Sequence, residues 1–173
     1  MTESNQKVKM ESGIFAAGCF WGVENTFRQV PGVVDVTVGY TGGHTKNPTY
    51  REVCTDRTGH AEAVYVVFNP TQVSYEKLVW VFFKYHDPTT PNRQGPDVGS
   101  QYRSAIFYNS PAQKAVAEKV RDELNKSQVF RRPIVTEITQ ATEFYRAEEY
   151  HQRYYEKKGV VGCAHYMNPK VEV

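Results

Sequence analysis

Apolar and polar positions along the chain follow two periods, and the segments they mark alternate. The continuous apolar run Ile14-Phe15-Ala16-Ala17 predicts a buried strand over residues 12–17, and 20–29 predicts a helix ended by Pro31-Gly32. Val34, Val36 and Val38 share one face of a strand over 33–40, followed by a Gly- and Pro-containing loop over 41–54. Residues 60–68 are rich in Ala, Val, Tyr and Phe and predict a strand closed by Asn69-Pro70. Ser74 caps a helix to about His86, with Leu78, Val81, Phe82 and Tyr85 on one side. A long loop over 87–101 precedes a strand over 103–108. Ser110-Pro111-Ala112-Gln113 reads as a capping box with proline in the first turn of a helix to about Lys126. A strand over 134–139 and a polar, Tyr-rich helix over 146–158, ended by Gly159, complete the pattern.

The order β-α-β-β-α-β, with further elements behind it, predicts an α+β fold: a two-layer sandwich with a mainly antiparallel mixed sheet. Its expected centre is a ferredoxin-like βαββαβ core plus C-terminal elements. At 173 residues the chain is expected to form a single catalytic domain. Residues 1–11 are expected to be a flexible N-terminus, and 160–173 a mobile tail carrying Cys163.

Charge narrows the function classes. A net charge of +2 with no Lys/Arg stripe argues against nucleic acid as a partner. The polar, mixed-charge segment 1–10 argues against a secretory signal or membrane span. Three widely spaced cysteines, an odd number, fit reactive sulfur in a reducing compartment better than a disulfide framework, so a cytoplasmic location is expected.

The chemistry starts at Gly18-Cys19-Phe20-Trp21-Gly22. A cysteine at a strand-to-helix junction meets unpaired backbone N–H groups and the positive end of the helix dipole, so its thiolate is expected to be favoured. Phe20 and Trp21 predict a small apolar slot beside the sulfur, although either could simply be core. Methionine sulfoxide is one substrate that suits this pairing. Glu62 lies in phase with Val64, Val66 and Phe68 on an apolar strand face. It is either paired with Arg or Lys, or desolvated and protonated near neutrality, able to give a proton to a substrate oxygen. Tyr50 and Tyr102 flank long loops and could bond that oxygen, and Asp97 could hold a water or orient the phenols. Cys163, with His165 nearby, could resolve a sulfenic acid formed on Cys19. Cys54 reads as structural and His151 as a surface or supporting residue on a polar helix. No ligand spacing supports a metal site.

These blocks together resemble the A-type peptide methionine sulfoxide reductases. The likeness runs through Gly18 to Gly22, Gly39-Tyr40-Thr41-Gly42-Gly43, Asn47 to Cys54, and Thr58-Gly59-His60-Ala61-Glu62-Ala63-Val64. It continues in His86-Asp87-Pro88, Arg93-Gln94-Gly95, Asp97 to Arg103, and Ala147-Glu148-Glu149-Tyr150-His151-Gln152. The resemblance implies reduction of methionine S-sulfoxide, free or in peptides, with no metal or organic cofactor and with thioredoxin as reductant. It implies Cys19 as nucleophile, Glu62 as acid, and Tyr50 and Tyr102 as its hydrogen-bonding partners. Asp97 would hold water, and Phe20 and Trp21 the substrate methyl group. A single Cys19–Cys163 disulfide is expected, since the tail departs from the family's two-cysteine version. The protein is expected to be a monomer, without nucleic acid or membrane partners.

Overall fold

The computed structural model describes residues 7–159 and 167–173. In chain order the elements are β1 (Glu11–Ala17), α1 (Phe20–Arg28), β2 (Val33–Thr41), α2 (Tyr50–Val53), β3 (Ala61–Phe68) and α3 (Tyr75–Lys84). Then come β4 (Arg93–Gln94), β5 (Asp97–Val98), a 3-10 turn (Ser100–Tyr102), β6 (Ser104–Tyr108) and α4 (Pro111–Ser127). The last are β7 (Glu137–Gln140), β8 (Tyr145–Arg146), a second 3-10 turn (Glu149–His151) and α5 (Tyr154–Lys157). Six strands form one sheet in the order β7-β6-β1-β3-β2-β8, and β4 pairs with β5 in a separate hairpin. Every pairing in the large sheet is antiparallel except β6 with β7. The fold is α+β with a mainly antiparallel mixed sheet.

Strand alternation sorts the apolar side chains onto two faces. Phe15, Val36, Val38, Val64, Val66, Phe68 and Ile106 point to one of them, where Phe27 of α1, Leu78 and Phe82 of α3, and Val120 and Leu124 of α4 complete the main core. The other face carries Ile14, Ala16, Ala61, Ala63, Ala105 and Phe107, covered by Ala141 and Phe144. The helix starts follow their capping residues. Ser74 Oγ accepts the Lys77 N–H and Ser110 Oγ the Gln113 N–H. The Gln113 amide departs from the expected box: its Oε1 accepts from Asn109 N–H and its Nε2 donates to Ser12 O, joining α4 to β1.

Three expectations need correction. The loop over 41–54 holds α2, opened by a reciprocal Thr49–Glu52 capping box. The loop over 87–101 holds the β4–β5 hairpin. The continuous helix over 146–158 does not form. Gln152, nearly fully buried, instead inserts its amide beside β2, accepting from Val38 N–H at 3.0 Å and donating to the carbonyls of Val38 and Ala147 at 2.9 Å. Arg153 then takes a left-handed backbone with φ 54°, which stops helical continuation. A side chain satisfying a sheet edge has overridden local helix propensity here. Gln152→Ala is expected to destabilise the fold by about 2–3 kcal/mol, because the Val38 N–H would lose its acceptor in a dry site. A shift of the urea midpoint at unchanged m-value would report it.

The chain end is fastened as well. Asn168 N–H donates to Lys84 O at 2.8 Å, Lys84 Nζ donates to Val171 O at 2.6 Å, and Val171 is buried. The unanchored tail expected over 160–173 therefore does not extend to residues 168–171. Cys163 and His165 lie outside the described residues.

Candidate active site

The site is a consequence of strand register. Because β1 pairs antiparallel with both β3 and β6, the end of β1 lies beside the starts of both partners, with Ala17 opposite Ser104. β2 runs antiparallel to β3 and ends there too, with Tyr40 opposite Glu62. One end of the sheet thus gathers the head of α1, the first residues of β3, the last residues of β2 and the segment leading into β6. Those segments carry Cys19, Glu62, Tyr40 and Tyr102.

Cys19 is the N-cap of α1 and half-buried. Gly18 before it has φ 95°, and a Cβ there would lie 2.7 Å from Gln94 Cγ, so only glycine fits the turn beneath the β4–β5 hairpin. The Gln94 amide locks that hairpin down, accepting from Asp87 N–H and donating to Asp87 O, both at 2.9 Å. Glu62 is 1% exposed, and its Oε1 accepts the N–H of Phe20, the residue after Cys19, at 3.2 Å. Its Oε2 has no partner among the described residues, and neither Arg nor Lys pairs with it there. Of the two sequence readings of Glu62, desolvation holds. Burial pushes its carboxyl up to about 8, against the lowering pull of the Phe20 N–H, with the Asp97 charge adding to the rise.

The thiol departs from expectation. Burial, then the Glu62 charge, push Cys19 up to about 12, outweighing the N–H groups of Trp21 and Gly22 that pull the other way. The helix head stabilises a thiolate, as its dipole should, but desolvation is the larger effect. At rest this sulfur is a thiol beside a neutral carboxyl.

Tyr50 and Tyr102 stand near this pair. Both phenols are held protonated by burial, and the Glu62 charge raises each of them further. Asp97 in β5 lies close enough for its charge to raise Cys19, Glu62 and Tyr102. Cys54, read from sequence as structural, is exposed and lies close enough to the Tyr50 hydroxyl to raise its pKa.

The two aromatics after Cys19 separate as their 100° helical offset requires. Phe20 is buried at 1% exposure between Tyr40 and His151, with ring centroids at 5.7 and 5.1 Å. Trp21 stays part-exposed, stacked on Tyr154 at 3.9 Å, and its Nε1 donates to His151 Nδ1 at 2.9 Å.

A profile of the peptide methionine sulfoxide reductase family matches residues 11–173. The MsrA of Methanosarcina acetivorans is 63% identical over 150 residues, covering 87% of this chain and 80% of that protein. The MsrA of Acidobacterium capsulatum is 58% identical over 154 residues, covering 89% of this chain and 99% of the relative. This chain belongs to the A-type peptide methionine sulfoxide reductase family. Solved structures agree. Methionine sulfoxide reductase A of Corynebacterium diphtheriae has a TM-score of 0.79 at 42% identity, covering 93% of this chain and 80% of that one. Reduced Mxr1 of Saccharomyces cerevisiae has a TM-score of 0.85 at 36% identity, covering 94% of each chain. The same yeast protein in complex with Trx2 has a TM-score of 0.63 at 28% identity, covering 96% and 95%.

In this reductase, sequence reasoning missed the frame behind the site. Glu148 Oε1 accepts the Tyr40 hydroxyl and its Oε2 the Tyr50 N–H, both at 3.0 Å. Burial opposes ionisation, but the backbone N–H of Glu148 itself, then the Tyr50 N–H and the Tyr40 hydroxyl, hold its carboxyl below the usual range. Of the two sequence readings of His151, surface or supporting residue, the second holds: the imidazole is fully buried against Trp21, and burial lowers its pKa. Both residues sit in Ala147 to Gln152, whose polar composition mimics a solvated helix, so no local signal marks them. Among the described residues no group of three His, Cys, Asp or Glu side chains converges to hold a metal ion, and no helix is long and apolar enough to cross a membrane.

Proposed function

We propose that this reductase acts on the S epimer of methionine sulfoxide through Cys19 and Glu62. The observation that carries the reading is the buried carboxyl of Glu62, bonded to the amide next to Cys19 and raised to about 8. A neutral acid there can protonate the sulfoxide oxygen while the Cys19 sulfur attacks the substrate sulfur. As the sulfur–oxygen bond of the substrate breaks, the oxygen passes to Cys19. The Cys19 proton replaces the one Glu62 has given up. The balance is one thiol and one sulfoxide consumed, one sulfenic acid and one methionine formed.

The phenols of Tyr50 and Tyr102, kept protonated by burial, supply donors to the oxygen as negative charge grows on it. Asp97 holds a water at the mouth of the site, and Phe20 with Trp21 flanks the methyl group. Cys163 then attacks the sulfenic acid, releasing water and forming a disulfide that a thioredoxin-type dithiol reduces. The complex of yeast Mxr1 with Trx2 supports that choice of reductant. The cysteine usage supports a cytoplasmic setting.

The test is turnover of separated S and R epimers of a methionine sulfoxide peptide, with dithiothreitol and then with thioredoxin. Reduction of S alone is expected, and turnover of neither epimer would end the proposal. Cys163→Ser is expected to keep a single turnover of methionine while losing thioredoxin-driven cycling. Unimpaired cycling in that variant would reassign the resolving step.

A further inference from the structure

Resting on the functional reading above, we infer that His151 is a positioning residue that sets the orientation of Trp21 and supports Tyr50. The indole N–H is a donor only, so the 2.9 Å contact makes His151 Nδ1 an acceptor. The imidazole is then neutral and carries its proton on Nε2. That second nitrogen is buried and has no acceptor among the described residues. A buried, unpaired N–H costs the fold stability, and a phenylalanine would fill much of the same space without it. The imidazole is therefore poorly explained as packing alone.

Its surroundings say what it holds. One side of Trp21 is stacked on Tyr154, which fixes the plane of the indole but leaves it able to slide or turn within that plane. The bond to Nδ1 removes that freedom. The same imidazole lies 4.4 Å, centroid to centroid, from the ring of Tyr50, whose backbone N–H is tied to Glu148 three residues before His151. One ring thus braces both the apolar wall and the phenol of the site. His151 sits on a frame that does not yield, since Gln152 is clamped to β2 and Arg153 N–H donates to Glu24 of α1 at 2.9 Å.

Two substitutions separate the hydrogen bond from the packing. His151→Phe keeps ring bulk and loses the acceptor, whereas His151→Asn keeps an acceptor close to the Nδ1 position and loses the ring. With a methionine S-sulfoxide peptide, His151→Phe is expected to raise KM roughly tenfold while kcat stays within about threefold, as loss of ground-state positioning predicts. His151→Asn is expected to keep KM within about threefold of the wild type. In a Trp21→Phe background, which lacks the indole N–H, His151→Phe should change KM by less than about twofold. Hydrogen exchange of the Trp21 indole N–H, followed by NMR with Trp80 as internal reference, should be slow in the wild type and His151→Asn and fast in His151→Phe.

A wild-type KM in His151→Phe would overturn the inference. So would an undiminished effect in the Trp21→Phe background, or Trp21 exchange unchanged by His151→Phe. Failure of the wild type to reduce either epimer would instead strike the functional reading, and the exchange measurement would still decide whether His151 holds the indole.

Discussion

Glu62→Gln is expected to slow sulfoxide reduction by about 10²–10⁴-fold while making the protein more stable at neutral pH. The amide keeps the shape of the carboxyl and its acceptor for Phe20 N–H, but it cannot release a proton to the substrate oxygen. The stability gain follows from the raised pKa of Glu62, about 8 when folded against an ordinary 4.5. A carboxyl whose folded pKa is raised contributes stability that is full below 4.5 and lost as pH rises through 8. The unfolded chain releases that proton freely, and the folded one does not. At pH 7 this costs the wild type about 3 kcal/mol, and at pH 4 almost nothing. The stability difference between Glu62→Gln and wild type should therefore be about 3 kcal/mol larger at pH 7 than at pH 4, whatever pH-independent effects the amide brings. Urea unfolding at the two pH values measures it. Activity should show the matching limb: above pH 8 the wild-type rate falls about tenfold per pH unit as Glu62 ionises, and the variant lacks that limb.

Cys19→Ser is expected to abolish turnover, with a fall on the order of 10⁴-fold or more, because a hydroxyl cannot replace the thiol as a sulfur nucleophile. The resting state of that thiol carries a second expectation. Burial raises Cys19 above an ordinary 9.0 even while Glu62 is neutral, so at pH 7 it should alkylate at least about tenfold more slowly than an unhindered thiol. Its rate should climb about tenfold per pH unit to beyond pH 10. Iodoacetamide labelling resolved by peptide mass spectrometry, with exposed Cys54 as the internal comparison, would report it. A plateau reached near pH 7 would mean that the helix head outweighs burial after all.

What the sequence revealed, and what it concealed, divides along a physical line. Apolar patterning locates β1, β2, β3 and α3, because burial of one face dictates it, and the Ser110-Pro111 capping signal locates α4. Glu62 stood out for the same reason: a carboxyl in phase with Val64, Val66 and Phe68 breaks a face that register must bury. The sequence points to a thiolate at Cys19 because the helix-end field is local and visible in it, whereas desolvation depends on what the fold lays over the sulfur. Gly18 signalled a turn, but not that Gln94 lies above it. Residues 146–158 read as a polar helix because composition cannot distinguish side chains that face water from ones that bond across 100 or more residues. Tyr40 to Glu148 and Val38 to Gln152 are such bonds.

The central claim is that Glu62 is a neutral, proton-giving carboxyl at the head of α1. Infrared difference spectra of the wild type against Glu62→Gln across pH 4 to 10 test it directly, by following the carbonyl stretch of the protonated acid. The account predicts a band that persists at pH 7 and disappears with a midpoint near 8. Disappearance with a midpoint near 4.5, the ordinary value for glutamate, would contradict it.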